Sequence, residues 1–131
     1  MTTTVELGAA DFESTVTTND IVLVDFWASW CGPCRQFAPV YERAAQAHPD
    51  IVFGKVDTEA QRELSAAAGI SSIPTLMAFK DGLLVFSQPG ALPAPALDQV
   101  IAAVRELDTA ELKAEAARLS ETEDHQAGSP R

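Results

Sequence analysis

The sequence predicts an α/β protein with a central mixed β-sheet flanked by helices on both faces. Two near-continuous runs of β-branched and aromatic residues, 21–27 and 51–57, are typical of parallel strands covered on both sides. Two later apolar segments, 75–80 and 83–88, flank Asp81-Gly82, a dipeptide that favours a tight antiparallel hairpin. The parallel strands of such a mixed sheet require crossover connections, usually helices, which cover its faces.

The first five predicted elements alternate between strand and helix. They are strands at residues 5–7, 21–27 and 51–57 and helices at residues 11–16 and 34–48. The helix at 34–48 is amphipathic, because Phe37, Tyr41 and Ala44 recur at a spacing of three to four residues. This face is expected to pack against the sheet.

The last four elements of the predicted domain are a helix, two strands and a helix, at residues 59–69, 75–80, 83–88 and 97–107. Gly69 ends the first of these, since glycine adopts the left-handed conformation at low cost. The final helix carries Leu97, Ile101 and Val104 on one face. Residues 1–107 are therefore predicted to form one domain.

The pattern changes after this domain. Asp108 and Glu111 have the spacing of a capping box, which predicts a weak helix carrying Leu112, Ala116 and Leu119. Residues 120–131 have no apolar periodicity and are predicted to be disordered. Residues 108–131 are thus a C-terminal extension of a weak helix followed by a tail.

Composition limits the class of protein. The 131 residues carry 19 acidic and 9 basic side chains, and the resulting net charge of −10 disfavours a nucleic acid or an anionic membrane as a partner. No apolar stretch is long enough to cross a bilayer. The N-terminus lacks the basic start and apolar run of a secretory signal. We therefore expect a cytoplasmic monomer with no nucleic-acid and no membrane partner.

Both cysteines lie in one pentapeptide, Trp30-Cys31-Gly32-Pro33-Cys34. Cys31 falls between a buried strand and a helix, where exposed N–H groups and the helix dipole favour a thiolate. The thiolate is the nucleophile of thiol–disulfide exchange. Cys34 lies one helical turn farther along and within bridging distance, with no bulky side chain between the sulfurs. The interpretation is a redox pair in which Cys31 attacks and Cys34 resolves.

Other uses of the two thiols fit less well. Zinc needs four ligands, and the chain adds only His48 and His125, which are far apart in the sequence. A cysteine protease needs a histidine directed at its thiol, and nothing marks either histidine for that role. Two inert core cysteines do not suit the end of a loop. No bound metal or cofactor is therefore expected.

Three separated segments carry a resemblance to a known family. They are "VDFWASWCGPCRQFAPVYE", "SSIPTLMAFKDG" and the pair Gly90-Ala91. In this order they resemble the active-site segment, the Ile-Pro-Thr segment and a third landmark of the thioredoxins. The similarity extends from residue 5 to about residue 107 and implies the thioredoxin fold. The extension at 108–131 is additional to the single-domain members of this family.

The resemblance also implies roles for individual residues. Asp25 matches the buried acid that acts on the proton of Cys34, although a polar residue at an exposed strand edge is the alternative. Lys55 matches the partner of that acid and would otherwise be a surface lysine. Pro74 matches the family's cis proline, which exposes the backbone of Ile73 to substrate; cis bonds are only about 5–6% of X–Pro bonds.

A shallow apolar groove for substrate follows from the same resemblance. Its expected lining is Trp30, Gly32, Pro33, Ile73, Pro74 and Gly90. Such a surface binds flexible disulfide-bearing segments through backbone contacts and apolar burial. The alternative for Trp30 is a core position; its place in a turn beside Cys31 favours the groove.

The resemblance implies a general protein-disulfide reductant that is recharged from NADPH by a thioredoxin reductase. The Gly-Pro pair between the cysteines resembles the reducing members of the family. Two alternatives stay open at this point. One is a thiol oxidant or isomerase of the same fold, and the other is a thioredoxin-like binding module whose thiols are idle. The sequence leaves the substrates, the pathway and the role of the extension undetermined.

Overall fold

A computed structural model describes residues 3–127, with side chains through residue 119. Its elements, in chain order, are β1 (Thr4–Glu6), α1 (Phe12–Thr18), β2 (Ile21–Trp27), α2 (Gly32–Ala47), β3 (Val52–Asp57), α3 (Arg62–Ala67), β4 (Thr75–Lys80), β5 (Leu83–Pro89), α4 (Ala94–Glu106) and α5 (Thr109–Ala127). The five strands form one sheet in the order β1-β3-β2-β4-β5.

The sheet is mixed, as the sequence predicts. β3 lies between β1 and β2 and is parallel to both, whereas β4 runs antiparallel to β2 and to β5. The hairpin between β4 and β5 turns at Asp81-Gly82, where both residues have positive φ. The predicted α/β class with a parallel βαβ unit and an antiparallel last pair is confirmed.

Alternation along β2 divides the core into two layers. Ile21 and Leu23 pack with the apolar faces of α2 and α4, in a cluster that includes Phe37, Tyr41 and Leu97. The intervening residues of β2 point to the other side of the sheet, where Val16 of α1 and Leu64 of α3 cover them. Because side chains alternate along a strand, Asp25 is on the α2 side.

Two helices begin three residues from their predicted starts, a larger offset than at α1 and α2. α3 begins at Arg62 rather than near residue 59, because Asp57 Oδ1 accepts the N–H groups of Glu59 and Ala60, at 2.9 and 3.3 Å, and holds a turn there. α4 begins at Ala94, earlier than predicted, with Pro95 in its first turn. Proline is tolerated there, since first-turn N–H groups have no partner within the helix.

The C-terminal extension is more helical than the sequence predicts. Asp108 Oδ1 accepts the N–H of Ala110 at 3.1 Å and of Glu111 at 3.3 Å, as a helix cap does. The helix continues to Ala127, whereas disorder was predicted from residue 120. Half of residues 120–127 have high helix propensity, namely Glu121, Glu123, Gln126 and Ala127. The rest of the predicted tail, 128–131, lies outside the described residues.

Candidate active site

The two cysteines form a disulfide at the N-terminus of α2. Cys31 is the N-cap residue, and the Cα atoms of Cys31 and Cys34 are 5.2 Å apart. The N–H of Cys34 donates to Cys31 Sγ at 3.2 Å, so the sulfur lies among the free N–H groups of the first helical turn. Both residues are buried, at 4% and 3% exposure. Whole-residue exposure therefore does not distinguish the predicted attacking cysteine from the predicted resolving one.

The backbone of the segment before β4 faces the disulfide. The peptide bond between Ile73 and Pro74 is cis, as the resemblance implies. The carbonyl oxygen of Ile73 lies 3.7 Å from Cys31 Sγ. On the far side of this segment, the N–H of Gly90 donates to the carbonyl of Pro74 at 2.7 Å. Gly90 has φ of +103°, a conformation that favours glycine.

Trp30 is the most exposed apolar residue beside the disulfide. Its side chain is 64% exposed, which excludes the alternative of a core position. Its indole N–H donates to Glu59 Oε1 at 2.9 Å, and the other carboxylate oxygen of Glu59 pairs with Arg62 at 2.9 Å. A cleft of about 320 Å³ lies between Trp30, α3 and the segment ending at Ile73.

Gly32 and Pro33 occupy the first turn of α2 between the cysteines. A Cβ added at Gly32 would meet no atom within 4 Å, so the backbone here is open. Pro33 has no N–H, and a first-turn N–H has no helical acceptor in any case. The two residues between the cysteines therefore place no bulky side chain between the sulfurs.

Asp25 is a buried carboxyl group beneath this site. It lies on the α2 side of β2 and is 1% exposed. No hydrogen-bond donor among the described side chains, residues 3–119, or the described backbone reaches either of its oxygens. Desolvation raises the pKa of Asp25 from 3.8 to about 7; the charge of Lys55 opposes this rise and that of Glu6 adds to it. The group thus titrates near neutral pH.

Lys55 is the nearest basic partner of Asp25 across the sheet. The two residues are directly paired in the register of β2 and β3. The ammonium group of Lys55 lies 4.7 Å from the centre of the Trp27 ring, which places it against the strand residue that leads into the cysteine loop. Lys55 is half-buried rather than a free surface lysine.

The comparisons with known proteins agree on one family. The family model described as Thioredoxin matches residues 3–103.

The chain belongs to the thioredoxin family.

A curated relative from Streptomyces coelicolor, "Putative thioredoxin 2", is 63% identical over 113 residues, covering 86% of this chain and 84% of the relative. "Thioredoxin-1" of Saccharomyces cerevisiae is 39% identical over 95 residues, covering 72% and 91%. The solved structure of a Plasmodium falciparum thioredoxin superposes with a TM-score of 0.71 at 37% identity, covering 76% of this chain and 97% of that one. These matches confirm the thioredoxin fold.

As a member of the thioredoxins, the chain is a protein-disulfide oxidoreductase. It reduces disulfide-bearing proteins by dithiol–disulfide exchange, and the disulfide of Cys31 and Cys34 is its redox-active group. Among residues 3–119, whose side chains the structure describes, there is no group of three or more His, Cys, Asp or Glu side chains placed to hold a metal ion. Within residues 3–127, no helix is both long and apolar enough to cross a membrane.

The structure brings most of the predicted site residues of this thioredoxin together around the disulfide. Ile73 packs with Cys31 and Cys34 in one cluster, Pro74 and Gly90 hold the adjoining backbone, and Lys55 pairs with Asp25. Sequence reasoning missed Glu59 and Glu6. The signal for both is tertiary, since each lies far along the chain from the residue it acts on.

Proposed function

We propose that this thioredoxin is a general disulfide reductant of the cytoplasm, acts as a monomer, and is recharged from NADPH by a thioredoxin reductase. The observation that carries the proposal is the exposed Trp30 beside a disulfide that lies 3.7 Å from the Ile73 carbonyl. An open apolar surface with free backbone groups suits varied, flexible protein segments. The net charge of −10 supports protein substrates over nucleic acid or anionic lipid.

The reaction begins with the reduced dithiol. The Cys31 thiolate attacks one sulfur of the substrate disulfide, the substrate S–S bond breaks, and the first substrate thiolate leaves. Substrate is now joined to Cys31 through a mixed disulfide. Trp30, Gly32, Pro33, Ile73, Pro74 and Gly90 bind the substrate segment during this step.

Resolution requires the second thiol to lose its proton. Cys34 lies on the buried face of α2, which packs on the same side of the sheet as Asp25. The Asp25 carboxylate accepts the Cys34 proton, and the new thiolate attacks Cys31 Sγ. The mixed disulfide breaks, the second substrate thiolate leaves, and the Cys31–Cys34 disulfide forms. A base with a pKa of about 7 suits this transfer at neutral pH.

Recharging reverses the chemistry at the same site. Two electrons from NADPH pass through the flavin of the reductase to a reductase dithiol, which reduces the Cys31–Cys34 disulfide by exchange. Lys55 assists both directions by stabilising the ionised form of Asp25.

The deciding experiment couples insulin reduction to NADPH oxidation in the presence of thioredoxin reductase. We expect NADPH consumption and insulin precipitation that depend on this protein and disappear in Cys31→Ser. A reduction potential in the range of strong oxidants would instead favour a thiol oxidant or isomerase. Failure of the reduced protein to reduce insulin at all would favour the binding module.

The quaternary and cellular parts of the proposal need their own measurements. Sedimentation equilibrium is expected to give the monomer mass of 14.0 kDa in both redox states. Fractionation of the source cells is expected to place the protein in the cytoplasm. A dimer mass, or recovery outside the cytoplasm, would contradict these parts without touching the exchange chemistry.

A further inference from the structure

Three charged residues form one row across neighbouring strands at the active-site end of the sheet. In the register of the sheet, Glu6 of β1 pairs with Lys55 of β3, and Lys55 pairs with Asp25 of β2. Directly paired residues of parallel strands point to the same side of a sheet. The row therefore consists of the acidic Glu6 at the sheet edge, the basic Lys55 in the middle and the buried, acidic Asp25 at its inner end.

The two acids of this row differ in exposure. Glu6 is on the edge strand and is open to solvent, whereas Asp25 is 1% exposed. Lys55 is attracted by both acids, so the negative charge of Glu6 offsets part of the effect of Lys55 on Asp25. Partial burial raises the pKa of Glu6 and Lys55 lowers it, with Asp57 adding a further rise. Glu6 thus interacts electrostatically with the same lysine as Asp25 does.

Few other groups face Asp25 from the surrounding elements. From α2, Tyr41 donates its hydroxyl to the carbonyl of Gly54 at 2.8 Å, and its burial raises its pKa well above the usual range, so it stays neutral. From β4, the paired residue is the apolar Leu76. Asp57 lies in the next row, paired with Trp27. Lys55 and Glu6 are therefore the charges that act most directly on Asp25.

We propose that Glu6 is a positioning residue of the proton-transfer step, because it shares one row of the sheet with Lys55 and Asp25 and its negative charge at the sheet edge opposes the positive charge of Lys55. The proposal rests on the proton transfer from Cys34 to Asp25 described above. Its consequence is that the resolving step operates in a pH window set partly by a solvent-exposed residue two strands away.

The first test is the titration of Asp25 itself in the oxidised protein, where the cysteines do not titrate. The carboxyl carbon of Asp25 is followed by ¹³C NMR in wild type and in Glu6→Gln. Removing the negative charge of Glu6 is expected to lower the midpoint of the Asp25 titration by about half a pH unit. This shift corresponds to charges on Glu6 and Asp25 that are roughly 10 Å apart, which is two strand spacings. An unchanged midpoint would overturn the proposal.

The matched control is Glu13→Gln. Glu13 is likewise an exposed glutamate, but it lies on α1, on the opposite side of the sheet. The Glu13→Gln substitution is expected to leave the midpoint of the Asp25 titration unchanged. An equal shift in both variants would mean that total charge matters rather than the row, and would also overturn the proposal. Lys55→Met should move the midpoint in the other direction, to higher pH.

The second test measures the resolving step alone. The reduced protein is mixed with a chromogenic aromatic disulfide, and release of the second aromatic thiol follows attack of Cys34 on the mixed disulfide at Cys31. In Glu6→Gln, the pH of half-maximal rate is expected to fall by the same amount as the Asp25 midpoint. If the NMR midpoint moves and the rate profile does not, Asp25 is not the proton acceptor, and it is the proposed mechanism that fails.

Discussion

Asp25 and Trp30 are placed against the usual preferences of their side chains. A carboxyl group is rarely fully buried without a partner, and a tryptophan is rarely left 64% exposed. Each departure is explained by exchange chemistry: burial brings the pKa of Asp25 to about 7, and exposure leaves an apolar ring free for substrate. At this scale the fold gives up stability for function.

The division of labour between the cysteines gives the first residue-scale prediction. Cys34→Ser removes only the resolving step, since a serine oxygen does not complete the exchange, so substrates should accumulate as mixed disulfides on Cys31. Cys31→Ser should be inactive and trap little, because the remaining thiol lies a turn inside α2, whereas Cys31 is at the helix N-cap. Non-reducing gels of each variant after incubation with cell lysate make the comparison. Equal trapping by both would contradict the assignment.

The buried charge of Asp25 gives a prediction for stability. Its pKa is 3.8 ordinarily and about 7 in the folded protein. Between these values the folded state holds a proton that the unfolded chain has lost, so the free energy of unfolding falls as pH rises through this window. At about 1.4 kcal/mol per pH unit, the loss approaches roughly 4 kcal/mol above pH 7.

Asp25→Asn should remove this loss. Urea unfolding of the oxidised proteins is expected to show the variant more stable than wild type by a few kcal/mol above pH 7, with the two converging below pH 4. The variant should also resolve mixed disulfides more slowly, because the proton acceptor is gone. A stability difference that is the same at every pH would show that folding does not shift the pKa of Asp25.

At the scale of elements, the end of the sheet opposite the disulfide is held by side chains that satisfy helix termini. The Lys80 ammonium group at the end of β4 donates to the carbonyls of Val104 at 2.9 Å, and of Arg105 and Leu107 at 2.8 Å. The last carbonyls of a helix lack N–H donors farther along the helix, although that of Val104 also accepts the N–H of the C-cap residue Leu107 at 3.2 Å. A cation also complements the dipole of a helix C-terminus. Thr109 then donates to Asp81 of the β-hairpin, which fixes the start of α5.

Lys80→Met tests this cap. Methionine keeps the apolar stem and removes the three donors, and hydrogen bonds to charged groups of this kind contribute about 1–2 kcal/mol net when partly exposed. The free energy of unfolding should therefore fall by about that amount, with reductase activity unchanged. Lys113→Met on the exposed side of α5 is the control and should have no measurable effect. Equal losses in the two variants would argue against a specific cap.

At the scale of the whole molecule, the active site and the C-terminal extension occupy opposite ends of the sheet. β2 begins beside Lys80 and ends beside Thr75, next to the cis proline. α5 starts from the Lys80 end, where the half-buried Leu112 lines a cavity together with Leu83 and Leu107. The active site and the start of α5 are therefore connected only through the sheet in the part of the chain that the structure describes.

Two truncations separate the parts of the extension. Removing residues 120–131 should change neither stability nor activity, because that sequence has no apolar face to bury. Removing residues 108–131 should cost about 1 kcal/mol, from lost burial of Leu112 and the lost contact of Thr109, with activity again unchanged. Thermal unfolding and the insulin assay make both measurements. A large loss of stability in the shorter deletion would show that the tail docks on the domain.

The sequence by itself determined the order of the elements, the mixed sheet and the redox pair, because these depend on local information. Apolar runs, the Asp81-Gly82 turn and the spacing of Cys31 and Cys34 are readable along the chain. The helix starts at Arg62 and Ala94 were misplaced, since an aspartate side chain and a first-turn proline decide them within a single turn. Asp25 and Pro74 could be assigned only through the family resemblance.

Only the tertiary structure decided the surroundings of these residues. The strand order β1-β3-β2-β4-β5 places Glu6 in one row with Lys55 and Asp25, although the three are far apart in the chain. Glu59 likewise reaches Trp30 only because the turn after β3 folds beside the cysteine loop. Burial and Coulomb interactions depend on distance in space, which strand pairing sets and residue patterns do not reveal. The sequence thus supplies the reacting groups, and the pairing of the strands determines the burial and the neighbouring charges that shift their pKa values.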